Sequence, residues 1–287
     1  MKSSALVFLA AFLALSASWG GFVLAPQIQL GREAQSKTLG LGELYPQARP
    51  GLAQAGLQVY RANGCVYCHS QSVGQTGTIC EIVLTDAGTN SAALAAALAK
   101  IAPAVSRAVL PQTIAKVADV PTADPIVKTL RDAGAKAEVR IVPTGPDIGR
   151  GWGVRRSVAQ DFLFDQPVQL GTQRIGPDLA NVGVRLPEAN WQLLHLYAPA
   201  AVVTGSTMPA YRFLFETRKL EFGRLPSPEA LPLTGELAPP PGYEVVPKPE
   251  AQALVAYLLS LRANAPLFDA PVTPPVVVAA ATNAPAQ

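Results

Sequence analysis

The chain has 287 residues, enough for one or two domains with a substantial core. Its net charge is +3 and only 15% of residues are charged, which excludes the basic stripe of a nucleic-acid binder and an acidic tail. With 27 prolines, 23 glycines and 7% aromatic residues, the composition points to a loop-rich scaffold with linkers rather than a helical bundle or a long regular sheet.

The first element is an apolar run from Ala5 to Ala25, about 21 residues without a charge, behind Met1-Lys2. That length crosses a hydrocarbon core of about 30 Å as a helix. Lys2 at its outer end predicts the N-terminus inside and the rest of the chain outside. A cleaved signal peptide is the competing reading, and Ser16-Ala17-Ser18 resembles a small-x-small cleavage site. Because Trp19 and Phe22-Val23-Leu24 continue the apolar stretch past that site, a retained anchor over 1–25 is favoured. Residues 26–50, with Pro26, Pro46 and Pro50, read as an extended connector.

From Gly51 to Asn63 the apolar positions Leu52, Ala55, Val59 and Tyr60 recur at helical spacing. This predicted helix delivers the chain to Cys65-Val66-Tyr67-Cys68-His69, a C-x-x-C-H. Two thiols about one helical turn apart can each add to one vinyl group of a single porphyrin, while the adjacent imidazole comes under the iron. A disulfide or half of a zinc site uses the same C-x-x-C. Zinc needs four ligands, and the chain holds three Cys and two His with no second pair. Cys80, the remaining cysteine, reads as a small buried hydrophobe in a strand.

The next segment has a pattern of its own. ICEIVL reads as a strand, SAALAAALAKI as a helix opened by Asn90-Ser91, TADPIVKTLRDAG as a helix ended by Gly134, and KAEVRIV as a closing strand. A β-α-α-β unit of this kind forms a small α/β subdomain.

Farther on, Gly176-Pro177-Asp178-Leu179 resembles the G-P-x-L loop of c-type cytochromes. That resemblance implies that the Pro177 carbonyl accepts the Nδ1–H of His69, which fixes the tautomer and strengthens the ligand. Met208, in Met208-Pro209-Ala210-Tyr211, is the only methionine besides Met1 and is expected as the sixth iron ligand. His195, on the predicted amphipathic helix WQLLHLYAPA, is its one rival, and equally suits a satisfied core position or a haem-propionate contact. A last helix is expected over about Glu250–Arg262, with Leu254, Tyr257, Leu258 and Leu261 on one stripe. With Gly56 on the Gly51–Asn63 helix, the pair resembles the first and last helices of c-type cytochromes, which cross at such a glycine and aromatic.

Taken together, VYRANGCVYCHSQSV, WGVRRSVAQDFLFDQPVQLGTQRIGPDLANVGVR and HLYAPAAVVTGSTMPAYRFLF resemble the mono-haem, membrane-anchored subunit II of cbb3-type cytochrome c oxidase. The resemblance implies one haem c held by thioethers to Cys65 and Cys68, iron ligated by His69 and Met208, and Pro177 in the haem pocket. It implies a mainly α protein: a c-type cytochrome domain over 51–77 and 149–263, carried on a single N-terminal transmembrane helix. The β-α-α-β unit, 78–148, departs from the family as an inserted α/β subdomain. A second departure is Ala200-Ala201 after Pro199, where the family usually has a basic residue. Residues 264–287 read as an Ala/Pro-rich tail, disordered or lying along a partner subunit.

The function so implied is electron relay within a membrane-bound oxidoreductase, not catalysis by this chain itself. Its partners are the catalytic haem-copper subunit, a multihaem cytochrome subunit, a c-type cytochrome donor and the membrane, with no nucleic acid. The expected location is the bacterial inner membrane with the haem domain on the periplasmic side. A membrane-anchored cytochrome shuttling electrons to a different respiratory complex is the alternative.

Overall fold

The computed structural model describes residues 2–30, 34–103, 110–221, 223 and 225–267. The tail expected over 264–287 lies outside the described residues from 268 onward. Helix accounts for 43% of the described residues and strand for 15%, so they are mixed where a mainly α protein was expected. Two of the strands were expected, at ICEIVL and KAEVRIV; the others have six residues or fewer, too short to stand out as alternating runs.

Helix α1 (Lys2–Trp19) passes through a π-helical turn, Gly20–Leu24, into α2 (Ala25–Leu30). The helix therefore runs on through Pro26, which has no N–H to give, just after the ladder has already loosened at Gly20-Gly21. Its apolar stretch Ser4–Gln29 has 26 residues, none of them buried. At about 1.5 Å per residue this is about 39 Å, more than the ~30 Å of a hydrocarbon core.

The connector folds back on the domain. Strands β1 (Ser36–Lys37) and β2 (Leu44–Tyr45) pair antiparallel. The Tyr45 hydroxyl donates to Asp161 Oδ1 at 2.8 Å, and Arg49 forms an ion pair with Asp165. Asp161 is itself gripped by Arg155, which is 1% exposed and donates to both carboxylate oxygens at 2.8 and 3.0 Å. Arg155 Nε also donates to the Ala265 carbonyl at 2.6 Å. A buried guanidinium satisfied on both sides is tolerable where an unpaired one is not. It ties the connector, the 150–165 stretch and the C-terminal segment together.

Helix α3 (Gly51–Ala62) leads into the cysteine motif, and α10 (Pro249–Ser260) closes the described chain. The two cross at Gly56, where a Cβ would stand 1.9 Å from the Ala253 carbonyl oxygen, so only glycine permits the contact. Beside it the Tyr60 and Tyr257 rings meet at 5.2 Å. Around this crossing a core gathers Leu57, Leu179, Val182, Leu193, Leu196 and Leu254. Short helices α7 (Val182–Arg185) and α8 (Ala189–Tyr197) supply its other wall, and α9 (Pro199–Val202) packs on α8. Strands β6 (Phe215–Lys219) and β7 (Tyr243–Pro247), antiparallel, place Phe215 and Val245 in the same core.

Between these parts lies the second core. Strand β3 (Gly77–Asp86), α4 (Ser91–Ile101), β4 (Gln112–Val117), α5 (Val120–Asp132) and β5 (Lys136–Thr144) form a three-stranded antiparallel sheet in the order β4-β3-β5 under two helices. The β-α-α-β reading missed β4, whose six residues carry a register shift opposite Ile82/Val83 that breaks their alternation. Asn90 and Asp119 cap the helices by accepting from Ala93 N and Thr122 N. Cys80, Ile82 and Leu84 face the helices with Leu94, Leu98 and Leu130. Gly77 lies opposite Thr144, so the segment enters and leaves at neighbouring positions, the latter running into α6 (Pro146–Gly149).

Candidate functional site: an apolar cleft between His69 and Met208

A 3-10 turn, Cys65–Tyr67, follows α3 and brings Cys65 against the core, while Cys68 is exposed and His69 half-buried. Both cysteines are free thiols. Burial pushes the Cys65 thiol up to about 11, so in the closed fold it is protonated. The His69 imidazole sits against the loop at Gly176. A Cβ there would stand 2.2 Å from the ring's Cε1, so glycine lets the backbone lie flat on the imidazole.

The next residue completes the contact: His69 Nδ1 lies 2.8 Å from the Pro177 carbonyl oxygen. With Nδ1–H donated there, Nε2 carries the lone pair on the other side of the ring. Burial pushes the His69 pKa down, opposed by the hydrogen bond to Pro177 and the charge of Asp178. A neutral imidazole is the form that binds a metal.

A layer of polar residues that local spacing does not announce holds that loop to the motif. Gly176 N donates to the Cys68 carbonyl at 2.9 Å and Leu179 N to the Ser70 carbonyl at 2.8 Å. Asp178 is fully buried and accepts from Ser70 Oγ at 2.6 Å, Ser72 N at 2.8 Å and Ala180 N at 2.8 Å. Arg174 donates through Nε to Ser70 Oγ and through both terminal nitrogens to Asp147, at 3.1 and 2.9 Å. Asp147 also accepts from Gly74 N at 2.7 Å. It falls within the span 78–148 that sequence reasoning assigned to the insertion, yet it holds the irregular segment just downstream of the motif. The Arg174 guanidinium and that of Arg150 lie on the Trp152 ring, at 5.1 and 4.9 Å from its centroid.

Met208 is carried by the loop after α9. Its N–H donates to Ser206 Oγ at 3.3 Å, and Tyr211 N donates to the Leu196 carbonyl at 2.8 Å, pinning the loop to α8. Cys65, His69, Pro177, His195 and Met208 all line one cleft. The remaining walls are largely apolar, from Leu179, Leu186, Leu254 and Leu258. Of the site residues read from the sequence, Cys65, His69, Pro177 and Met208 are thus brought to one place, while Cys68 is exposed and off its wall.

The cleft fits a haem on its chemistry. A thioether and a neutral imidazole form a donor pair suited to haem iron, and one thiol of the attachment motif is on the wall. Three buried polar side-chain atoms of its lining residues have no hydrogen-bond partner among the described residues, the Tyr60 hydroxyl, Arg185 Nε and His195 Nδ1.

Residues 144–227 match a family described as cytochrome C oxidase, mono-heme subunit/FixO. Asp147, Arg174, Pro177, Asp178, Arg185, His195 and Met208 fall inside the match, and the C-x-x-C-H lies ahead of it. A comparison with curated proteins gives no match. A mono-haem family carries with it haem, electron transport and association with a membrane-bound oxidase complex. The match supports the family to which the sequence pointed, subunit II of cbb3-type cytochrome c oxidase.

Proposed function

We propose that this chain is the electron-relay subunit of a cbb3-type haem-copper oxidase, carrying one haem c bound through thioethers to Cys65 and Cys68 and ligated by His69 and Met208. The observation that carries this reading is the single cleft shared by His69 and Met208, with His69 Nδ1 turned to the Pro177 carbonyl. The bound haem supplies a one-electron Fe(II)/Fe(III) couple. The chain's own residues set the conditions: Pro177 fixes the imidazole tautomer, and the Leu walls exclude water. Met208 offers a soft sulfur that favours the reduced iron and raises the potential relative to bis-His ligation. The apolar helix anchors the domain on the periplasmic face of the inner membrane. From there electrons pass from a c-type cytochrome donor or the multihaem subunit toward the catalytic subunit.

The test is the oxidised spectrum of the purified holoprotein. Met208→Ala is expected to abolish the weak sulfur-to-iron band near the red end, and Met208→His to lower the reduction potential. A low-spin spectrum that survives Met208→Ala and is lost in His195→Ala would contradict the ligand assignment.

A further inference from the structure

A second cleft, of about 420 Å³, opens between the connector, the 157–165 stretch and the chain that follows α10, and it shares no lining residue with the haem cleft. Its size suits a small ligand or the head of a larger one, ~300–1,000 Å³. Arg49 lies on its wall, with the guanidinium over the Tyr257 ring, 5.3 Å from the centroid, and paired with Asp165. Those two contacts fix the plane of the group, yet its Nε is buried with no hydrogen-bond partner among the described residues. The connector also sets where this cleft stands. Thr38, the first lining residue, can lie at most about 28 Å from the end of α2 at Leu30, which keeps the cleft near the bilayer surface. Among the lining residues, Leu41, Leu44 and Phe164 keep 59%, 53% and 37% of their surface exposed.

A buried N–H without an acceptor is costly, and a guanidinium selects an anionic one, a phosphate above all where the site is shared with a second cation. The other charges of the cleft have both signs. Asp165 and Asp161 are taken up by Arg49 and Arg155, whereas Arg262 and Glu43, both exposed, enter no ion pair among the described residues. A phosphate, an ammonium and an apolar body are therefore called for together, and a zwitterionic phospholipid carries all three. We propose that this cleft holds the head group of one such lipid. Its phosphate sits on Arg49 Nε and Arg262, its ammonium on Glu43, and its acyl chains lead out over Leu41, Leu44 and Phe164 to the bilayer. An anionic lipid leaves Glu43 without a partner, and a soluble phosphate leaves the leucines bare to water. This rests on the membrane-anchored reading of the chain. Seated there, the lipid ties the connector to the 157–165 stretch and sets how the domain stands on the membrane.

The experiment is native mass spectrometry of the full-length holoprotein, delipidated in detergent and titrated with three probes. These are phosphatidylethanolamine, phosphatidylglycerol, and glycerophosphoethanolamine, which has the same head without chains. One phosphatidylethanolamine is expected to bind about tenfold or more tightly than either of the others. Arg49→Gln should weaken it by about tenfold or more, the effect of losing one charge-assisted hydrogen bond. Glu43→Gln, at an exposed position, should keep lipid binding and erase the preference over phosphatidylglycerol. If Arg49→Gln does not fold, Arg262→Gln and Glu43→Gln carry the test. In the intact complex, a photo-cross-linker at Leu44 is expected to capture lipid. Equal binding of the three probes, or a preference that these variants leave in place, would overturn the proposal. So would a cross-link to the polypeptide of another subunit, which would make the cleft a protein interface. Those results leave the membrane-anchored reading standing, whereas a mature chain recovered without its apolar helix would overturn both.

Discussion

Replacing Asp147 by Ala tests whether the polar layer behind His69 is part of the haem site. The carboxylate is 6% exposed and accepts from Gly74 N at 2.7 Å and from Arg174 at 2.9 and 3.1 Å. Its loss strands the Gly74 N–H, at about 1–3 kcal/mol. Arg174 is 37% exposed, so water replaces much of its lost pairing and adds only about 0–1 kcal/mol. A total of about 1–4 kcal/mol corresponds to a fall in Tm of roughly 2–16 °C for a domain of this size. The assay is thermal unfolding of the detergent-solubilised holoprotein, followed at the haem absorption. Because Arg174 also holds Ser70, next to His69, the sulfur-to-iron band should weaken before the protein unfolds. An unchanged Tm together with an unchanged band would refute the reasoning.

The same contact sharpens what removing the β3-to-β5 segment does. Deleting 78–146 keeps Asp147 and should leave covalent haem and the low-spin spectrum intact, since Cys80, Ile82 and Leu130 pack in a core of their own; deleting 78–148 should lower Tm as Asp147→Ala does, and both are read by spectrum and melting. Gly176→Ala puts a methyl 2.2 Å from His69 Cε1, so the ring must move, and loss of the low-spin spectrum in a folded protein checks it. Gly56→Ala forces α3 off the Ala253 carbonyl and should cost about 3 kcal/mol or more, seen in urea unfolding. Glu244 is held below the usual carboxylate range by Ser227 N–H and then by Arg218. Its unfolded form binds a proton near about pH 4.3, so its stabilisation is present above that pH and fades as pH falls toward the lower folded value; Glu244→Gln should flatten this acid arm in melts taken across that window. N-terminal sequencing of the mature protein should find the apolar helix retained, and a start near residue 17 or 19 would contradict that.

The legible parts of the site were those written in local spacing. C-x-x-C-H places two thiols and an imidazole within one turn, and the scarcity of methionine left Met208 exposed as a ligand candidate. The crossing of α3 and α10 was signalled by a glycine and a tyrosine at helical spacing, Gly56 and Tyr257. The polar layer was not legible, because Ser70, Asp147, Arg174 and Asp178 are scattered over more than a hundred positions. Each resembles a solvated loop charge until the fold brings them together. Arg185 was missed for a similar reason: it follows an ordinary apolar turn, and only its buried Nε, unpartnered among the described residues, marks it. Strands β6 and β7 escaped because FETRK and YEVVP are five residues each, one almost wholly exposed and the other almost wholly buried, so neither alternates.

The most direct measurement of the central claim is the subunit and haem composition of the complex extracted in mild detergent. The account predicts this chain, with one covalent haem, co-purifying with an integral subunit that carries high-spin haem and copper, and reducing it when an electron donor is supplied. A chain recovered with its haem but bound to a respiratory complex lacking copper would contradict it.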